Sequence, residues 1–144
     1  MTNVSNRPGT GFWILGIAAL IWNLMGVFAF IAQMNMTPEM LEVLPEAERK
    51  LYENVPSWVN IVFAIAVFGG ALGSLLLLLK KKIATPIFIL SLVAVIIQMM
   101  YNLFMSRASE VYGPGAMIML VVVLFIGIYL VWYSKKSTVK GWLS

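Results

Sequence analysis

Four stretches of this chain run for roughly twenty residues each without an Asp, Glu, Lys or Arg, the length a helix needs to cross a bilayer. Phe12 to Met34 is an uncharged run of 23 residues. At 1.5 Å per residue a helix of that length reaches ~35 Å and clears the ~30 Å hydrocarbon layer. The second run, Trp58 to Leu79, is stopped by Lys80, Lys81 and Lys82. The third extends from Ile83 to Ser106, bounded by those lysines and by Arg107. The fourth lies between Glu110 and Lys135, with its apolar body from Gly115 to Tyr133. A soluble globule of this size buries only ~70% of its surface. That is too little to hide a composition that is 61% hydrophobic and 11% charged. The expected fold is all-α: a single integral membrane domain over 1–144, built as a four-helix transmembrane antiparallel bundle with helices at 12–34, 58–79, 83–106 and 115–133. The first run is longer than a signal-peptide core and no small-x-small site follows it, so it is expected to be retained.

Threading follows from the basic residues. With the N-terminus inside, the cytoplasmic segments hold Arg7, Lys80, Lys81, Lys82, Lys135, Lys136 and Lys140, and the two outer loops keep Arg49, Lys50 and Arg107. That bias satisfies the positive-inside rule and predicts cytoplasmic N and C termini. All six acidic residues, Glu39, Glu42, Glu46, Glu48, Glu53 and Glu110, fall outside. The aromatics agree, with Trp13, Trp132 and Tyr133 at the inner edge and Tyr52, Trp58 and Tyr112 at the outer edge, where amphipathic rings favour the headgroup level. The basic tail from Lys135 to Lys140, with Trp142, is placed against anionic lipid. The net charge of +4 is thus explained by membrane orientation. No nucleic-acid partner is expected, because the basic residues gather at helix ends.

The outer loop 35–57 carries helix start signals. Thr37 is placed to cap a turn with Pro38 at its first position, and Pro45 to start a second short helix that ends near Asn54. Met40, Leu41, Leu44, Leu51 and Tyr52 give these turns an apolar side that suits a lid resting on the membrane surface. By contrast, Tyr112, Gly113, Pro114 and Gly115 have the composition of a tight turn.

The helix faces carry the functional expectation. Gly16, Ala19, Asn23, Gly26, Ala29 and Gln33 recur every three or four residues and share one side of the first helix, which must look at protein. The second helix offers Gly69-x-x-x-Gly73, a pattern that lets backbones approach closely, and a homo-oligomer through Gly69 and Gly73 is one use of it. The third helix supplies Ser91, Ala94, Gln98, Tyr101 and Asn102. The fourth has little beyond Gly127 and Tyr129, so it is expected to be the most lipid-exposed. By helical rise Asn23 lies near the midplane, Gln98 about 5 Å and Asn102 about 11 Å outward of it. A shallow outward-open cavity lined by Asn23, Gln33, Asn60, Gln98, Tyr101 and Asn102, with Trp22 and Trp58 nearby, is the candidate substrate site. Neutral amides donate and accept, and rings cover apolar faces, which suits a small neutral solute. The other use of the same residues is hydrogen bonding between helices, worth ~0.6 kcal/mol each. Trp22, Asn23, Leu24 and Met25 also echo Tyr101, Asn102, Leu103 and Phe104, as two copies of a helical hairpin would.

Trp22-Asn23-Leu24-Met25-Gly26, Leu44-Pro45-Glu46-Ala47-Glu48, Asn54-Val55-Pro56-Ser57-Trp58, Tyr101-Asn102-Leu103-Phe104 and Tyr112-Gly113-Pro114-Gly115 resemble strings in a family of small four-helix bacterial inner-membrane proteins commonly labelled sugar transporters. The resemblance spans the chain from about Phe12 to Trp142. It implies a multi-pass protein of the bacterial inner membrane and a transport role, and carries no binding or catalytic residue over. Quinone-linked disulfide enzymes need cysteines, small multidrug carriers an intramembrane glutamate, and glutathione-using membrane enzymes charged helical residues. This sequence has no Cys and no His, and none of its acids or bases falls inside a span. Enzymatic function and any cofactor are therefore not expected, since hydroxyls such as Ser74 and Ser91 have no base beside them. Two classes remain: a carrier or facilitator for a small neutral solute such as a sugar, and a non-transporting accessory or scaffold subunit whose acidic outer loop meets a partner.

Overall fold

The computed structural model describes residues 8–105 and 114–144. Arg7, Ser106, Arg107, Glu110 and the Tyr112-Gly113 half of the expected turn lie outside the described residues. Among the described residues the protein is all-helical. Four helices are long and apolar enough to cross a membrane. They are α1 (Thr10–Met34), α4 (Ser57–Leu78), α5 (Ala84–Met100, continued by a π-helical turn over Tyr101–Met105) and α6 (Pro114–Val139). Two short helices, α2 (Pro38–Glu42) and α3 (Glu46–Glu53), make up the connection between α1 and α4, the lid segment. The Thr37 hydroxyl accepts the Met40 N–H at 3.2 Å to start α2. On α3, Lys50 pairs with Glu46 at 3.3 Å one turn away.

The last helix overruns its expected end at Tyr133 and continues through Lys135 and Lys136 to Val139. Lysine is a good helix former, and its long stem lets the charge reach water while the backbone stays helical. Both α4 and α6 stop in the same way, on a left-handed residue. Lys80 has φ 59° and Gly141 φ 81°. In each turn the next N–H reaches back five residues, Lys81 to the Leu76 carbonyl and Trp142 to the Ser137 carbonyl, both at 2.9 Å. Carbonyls that a helix end leaves unpaired are thereby satisfied.

The long helices pack in chain order, α1 on α4, α4 on α5 and α5 on α6. Small residues set each seam. On α4, Gly69 faces Ser91 of α5 and Gly73 faces the Phe88 ring. The Ser91 hydroxyl donates to the Ala66 carbonyl of α4 at 2.6 Å. Thr85 of α5 donates to Ser134 of α6 at 3.0 Å. The two glycines expected to serve an interface between copies are thus taken up inside one chain, because the helix that needs their close approach is α5. The outer helices of the row, α1 and α6, share the lowest burial, whereas α4 and α5 are flanked on both sides. Lipid exposure therefore belongs to α1 as much as to α6. The echo between the first and third spans also breaks down in the backbone: Trp22 to Met25 lie in regular α-helix, Tyr101 to Phe104 in the π turn.

α1 and α6 meet at the end of the bundle that carries both chain ends, here the terminal end. Phe12, 2% exposed, stacks on Tyr133 of α6 with 6.2 Å between ring centres and meets Trp142 edge-on at 5.8 Å. Ser144 joins them by donating its N–H to the Lys80 carbonyl at 2.9 Å. The buried core, Phe12, Ala19, Leu77, Ala84, Phe88, Leu130 and Leu143, gathers in this half of the bundle. Above it toward the lid, the packing opens.

Candidate functional site

The space left in the lid half is a cavity of about 420 Å³ lined by all four long helices, within the ~300–1,000 Å³ range of small-molecule sites. Among the described residues, no ring cluster like that around Phe12 joins the lid halves of α1 and α6. Large side chains from α4, α5 and α6, including Phe63, Phe88 and Ile126, stand around the gap.

Of the sequence-predicted residues, Trp22, Asn23, Gln98 and Asn102 line this cavity. Gln98 and Asn102 lie one helical turn apart on α5, and Asn23 reaches in from α1. The Gln98 side chain makes no hydrogen bond to a described residue, so its amide is available to whatever enters. The other four predicted residues do not line it. Gln33 donates to the Asn60 side-chain oxygen at 3.2 Å, tying the lid ends of α1 and α4. Tyr101 is 8% exposed and meets Trp58 edge-on at 5.7 Å, tying α4 to α5. The single vestibule expected from the sequence thus divides into a few amides on the cavity wall and a rim of two cross-helix pairs. The π turn marks the boundary, since Tyr101 faces the rim and Asn102 the cavity. Such turns are rare and recur at functional positions.

Asn23 is held in place by the helix beside it. Its amide nitrogen donates to the Ala19 carbonyl at 2.8 Å and to the Ser74 hydroxyl at 3.2 Å. Ser74 in turn donates to the Gly70 carbonyl at 2.8 Å. The amide oxygen lies where a side chain at position 70 would be, so only glycine at Gly70 leaves room for it. Replacing Gly70 by alanine is expected to push the Asn23 side chain away and break its bond to Ser74. At ~0.6 kcal/mol per membrane hydrogen bond, the loss of bundle stability should stay near 1 kcal/mol. Thermal unfolding in nanodiscs checks that value, and a loss several times larger would show the helix seam itself to depend on this position.

Sequence reasoning missed the apolar wall. Phe63, Val95, Val123, Ile126 and Leu130 line the cavity, yet nothing in their type separates them from side chains that face acyl chains. The one available signal was the cluster of small residues Gly26, Gly70 and Ser91 beside the amides. Among the described residues that line the cavity none is charged. No group of His, Cys, Asp or Glu among the described residues could hold a metal. The site can therefore hold an uncharged molecule by shape and by amide hydrogen bonds. No family model matches the chain, and no curated protein and no solved structure matches it.

Proposed function

We propose that this protein is a carrier or facilitator for a small neutral solute, with the intramembrane cavity as its binding site. The observation that supports this most is the pairing of a molecule-sized space with amides that no charge accompanies. A chain that needed Asn23, Gln98 and Asn102 only to hold helices together would pair all of them across seams, and Gln98 is not so paired. The threading proposed with it places the terminal end in the cytoplasm of a bacterium, supported by Lys80, Lys81, Lys82, Lys135, Lys136 and Lys140 at that end and by the glutamates of the lid at the other.

The test is uptake into proteoliposomes across a panel of uncharged solutes that includes hexoses. Saturable flux above protein-free vesicles is expected, falling at least tenfold in Gln98→Leu, a change that removes the amide without removing a helix-to-helix bond. The accessory-subunit reading is favoured by one feature, an apolar Val43 left 81% exposed on the lid. Absence of flux for every solute, with one stoichiometric partner copurifying through the lid, would replace the carrier by that reading.

A further inference from the structure

We infer that the occupant of the cavity is a membrane-dissolved, uncharged amphiphile with a single hydrogen-bonding end, and that it enters sideways from the hydrocarbon layer between α1 and α6. The inference rests on the cavity being the binding site proposed above, and adds its ligand class and its route.

The route comes from the residues that belong to both the cavity wall and the outer surface. Met25 of α1 and Met119 of α6 line the cavity and are nonetheless 61% and 55% exposed, so the cavity reaches the outside between them. Met25 lies nine residues below the lid end of α1, and Met119 five residues into α6. By helical rise these are depths of roughly 13 Å and 8 Å, inside the ~15 Å half-thickness of the hydrocarbon layer. The opening therefore faces acyl chains in the leaflet on the lid side. The other seams are closed: α1 to α4 by Asn23–Ser74 and Gln33–Asn60, α4 to α5 by Ser91–Ala66, and α5 to α6 by Leu92 packed close against Gly127. Flexible methionines at a mouth adapt to chains of varied shape.

The ligand class comes from the wall. No described lining residue is charged, so a charged head would enter without a counter-charge and lose its hydration. The polar side chains occupy a few positions on α1 and α5, while Val123, Ile126 and Leu130 make the α6 side wholly apolar. A sugar carries hydroxyls around its whole ring and would leave several against that wall. An amphiphile places its one hydroxyl or carbonyl at Gln98 and its body against α6.

The chain holds no cysteine, which makes a clean experiment possible. The protein in nanodiscs is exposed to a 16-carbon primary alcohol carrying a mid-chain diazirine, photolysed, and its labelled residues are mapped by mass spectrometry. Binding of tritiated glucose and glycerol is measured in parallel. Labelling is expected on Leu92, Val95 or Val123, and at least tenfold less of it in Val123→Trp, whose ring fills the space. In the double variant Met25→Cys/Met119→Cys, bridging the two thiols with a short bis-maleimide should cut wall labelling at least fivefold relative to the same protein unbridged, a comparison that does not depend on the tryptophan variant folding. Labelling confined to the lipid-facing Phe28 and Phe125, or wall labelling unchanged by both treatments, overturns the inference. Glucose or glycerol binding that Val123→Trp abolishes, without alcohol on the wall, overturns the inference and leaves the carrier standing. If neither class of probe occupies the cavity, the carrier reading falls with it.

Discussion

Replacing Phe12 by alanine is expected to cost this protein about 3 kcal/mol of bundle stability, the low end of the range for emptying a buried phenylalanine site. Its ring is the common partner of side chains from α1, α6 and the tail that follows α6. Besides Tyr133 and Trp142 it meets Trp13 edge-on at 5.2 Å, and each such pair contributes about 0.5–1.5 kcal/mol beyond its buried area. The loss should appear in denaturant or steric-trapping titrations in bicelles. It should be accompanied by greater solvent access to Trp142, read by fluorescence quenching. Phe28→Ala, at a ring 69% exposed on the same helix, is the control and should change stability little. A loss below about 1 kcal/mol at Phe12 would mean that α1 and α6 are joined by something other than this cluster.

Gly73→Val is the second large effect. A side chain at this position would start 2.8 Å from two carbons of the Phe88 ring, and Phe88 is itself only 3% exposed. Phe88 also borders the cavity, so either the ring swings toward that space or α4 and α5 part. Overpacking of this kind costs about 1–3 kcal/mol, and the upper end is expected because α4 and α5 share the largest seam in the bundle. Gly11→Val provides the contrast, since nothing stands within 4 Å of the new atom there. Equal stability of the two variants in the same unfolding titration would show that the α4–α5 seam is looser than its geometry indicates.

The spans were legible because a bilayer imposes two coarse demands, length and freedom from charge, and both are written into single segments such as Phe12 to Met34. The close approach at Gly69 and Gly73 was legible too, as a property of α4 alone. What α4 approaches was not, because a copy of the chain and the chain's own α5 satisfy the same spacing. The amides show the same limit. That Asn23, Gln33, Asn60, Gln98 and Asn102 face protein follows from their cost in lipid. How they divide depends on which helices are neighbours: Gln33 is consumed by Asn60, while Gln98 is left for the cavity. The apolar wall at Val123 and Leu130 had no signature, since lining a cavity and facing lipid call for the same side chains. The extra turns of α6 past Tyr133 are not legible, because charge ends a span without ending a helix, and Lys135 and Lys136 separate those two boundaries.

The ring cluster around Phe12 joins α1 to α6 at the terminal end, whereas at the lid end α1 is tied to α4 by Gln33–Asn60 and the Phe30–Phe63 pair, so α1 and α4 move as one lever. α1 is 25 residues long, or roughly 37 Å by helical rise. A rocking of α1 with α4 by about 5° about Phe12 would displace the far tip by about 3 Å over that length, enough to alter the gap to α6. Adjustments at the base, where Lys136 sits over the Trp132 ring at 4.8 Å, would in this way be magnified at the opposite end of the bundle.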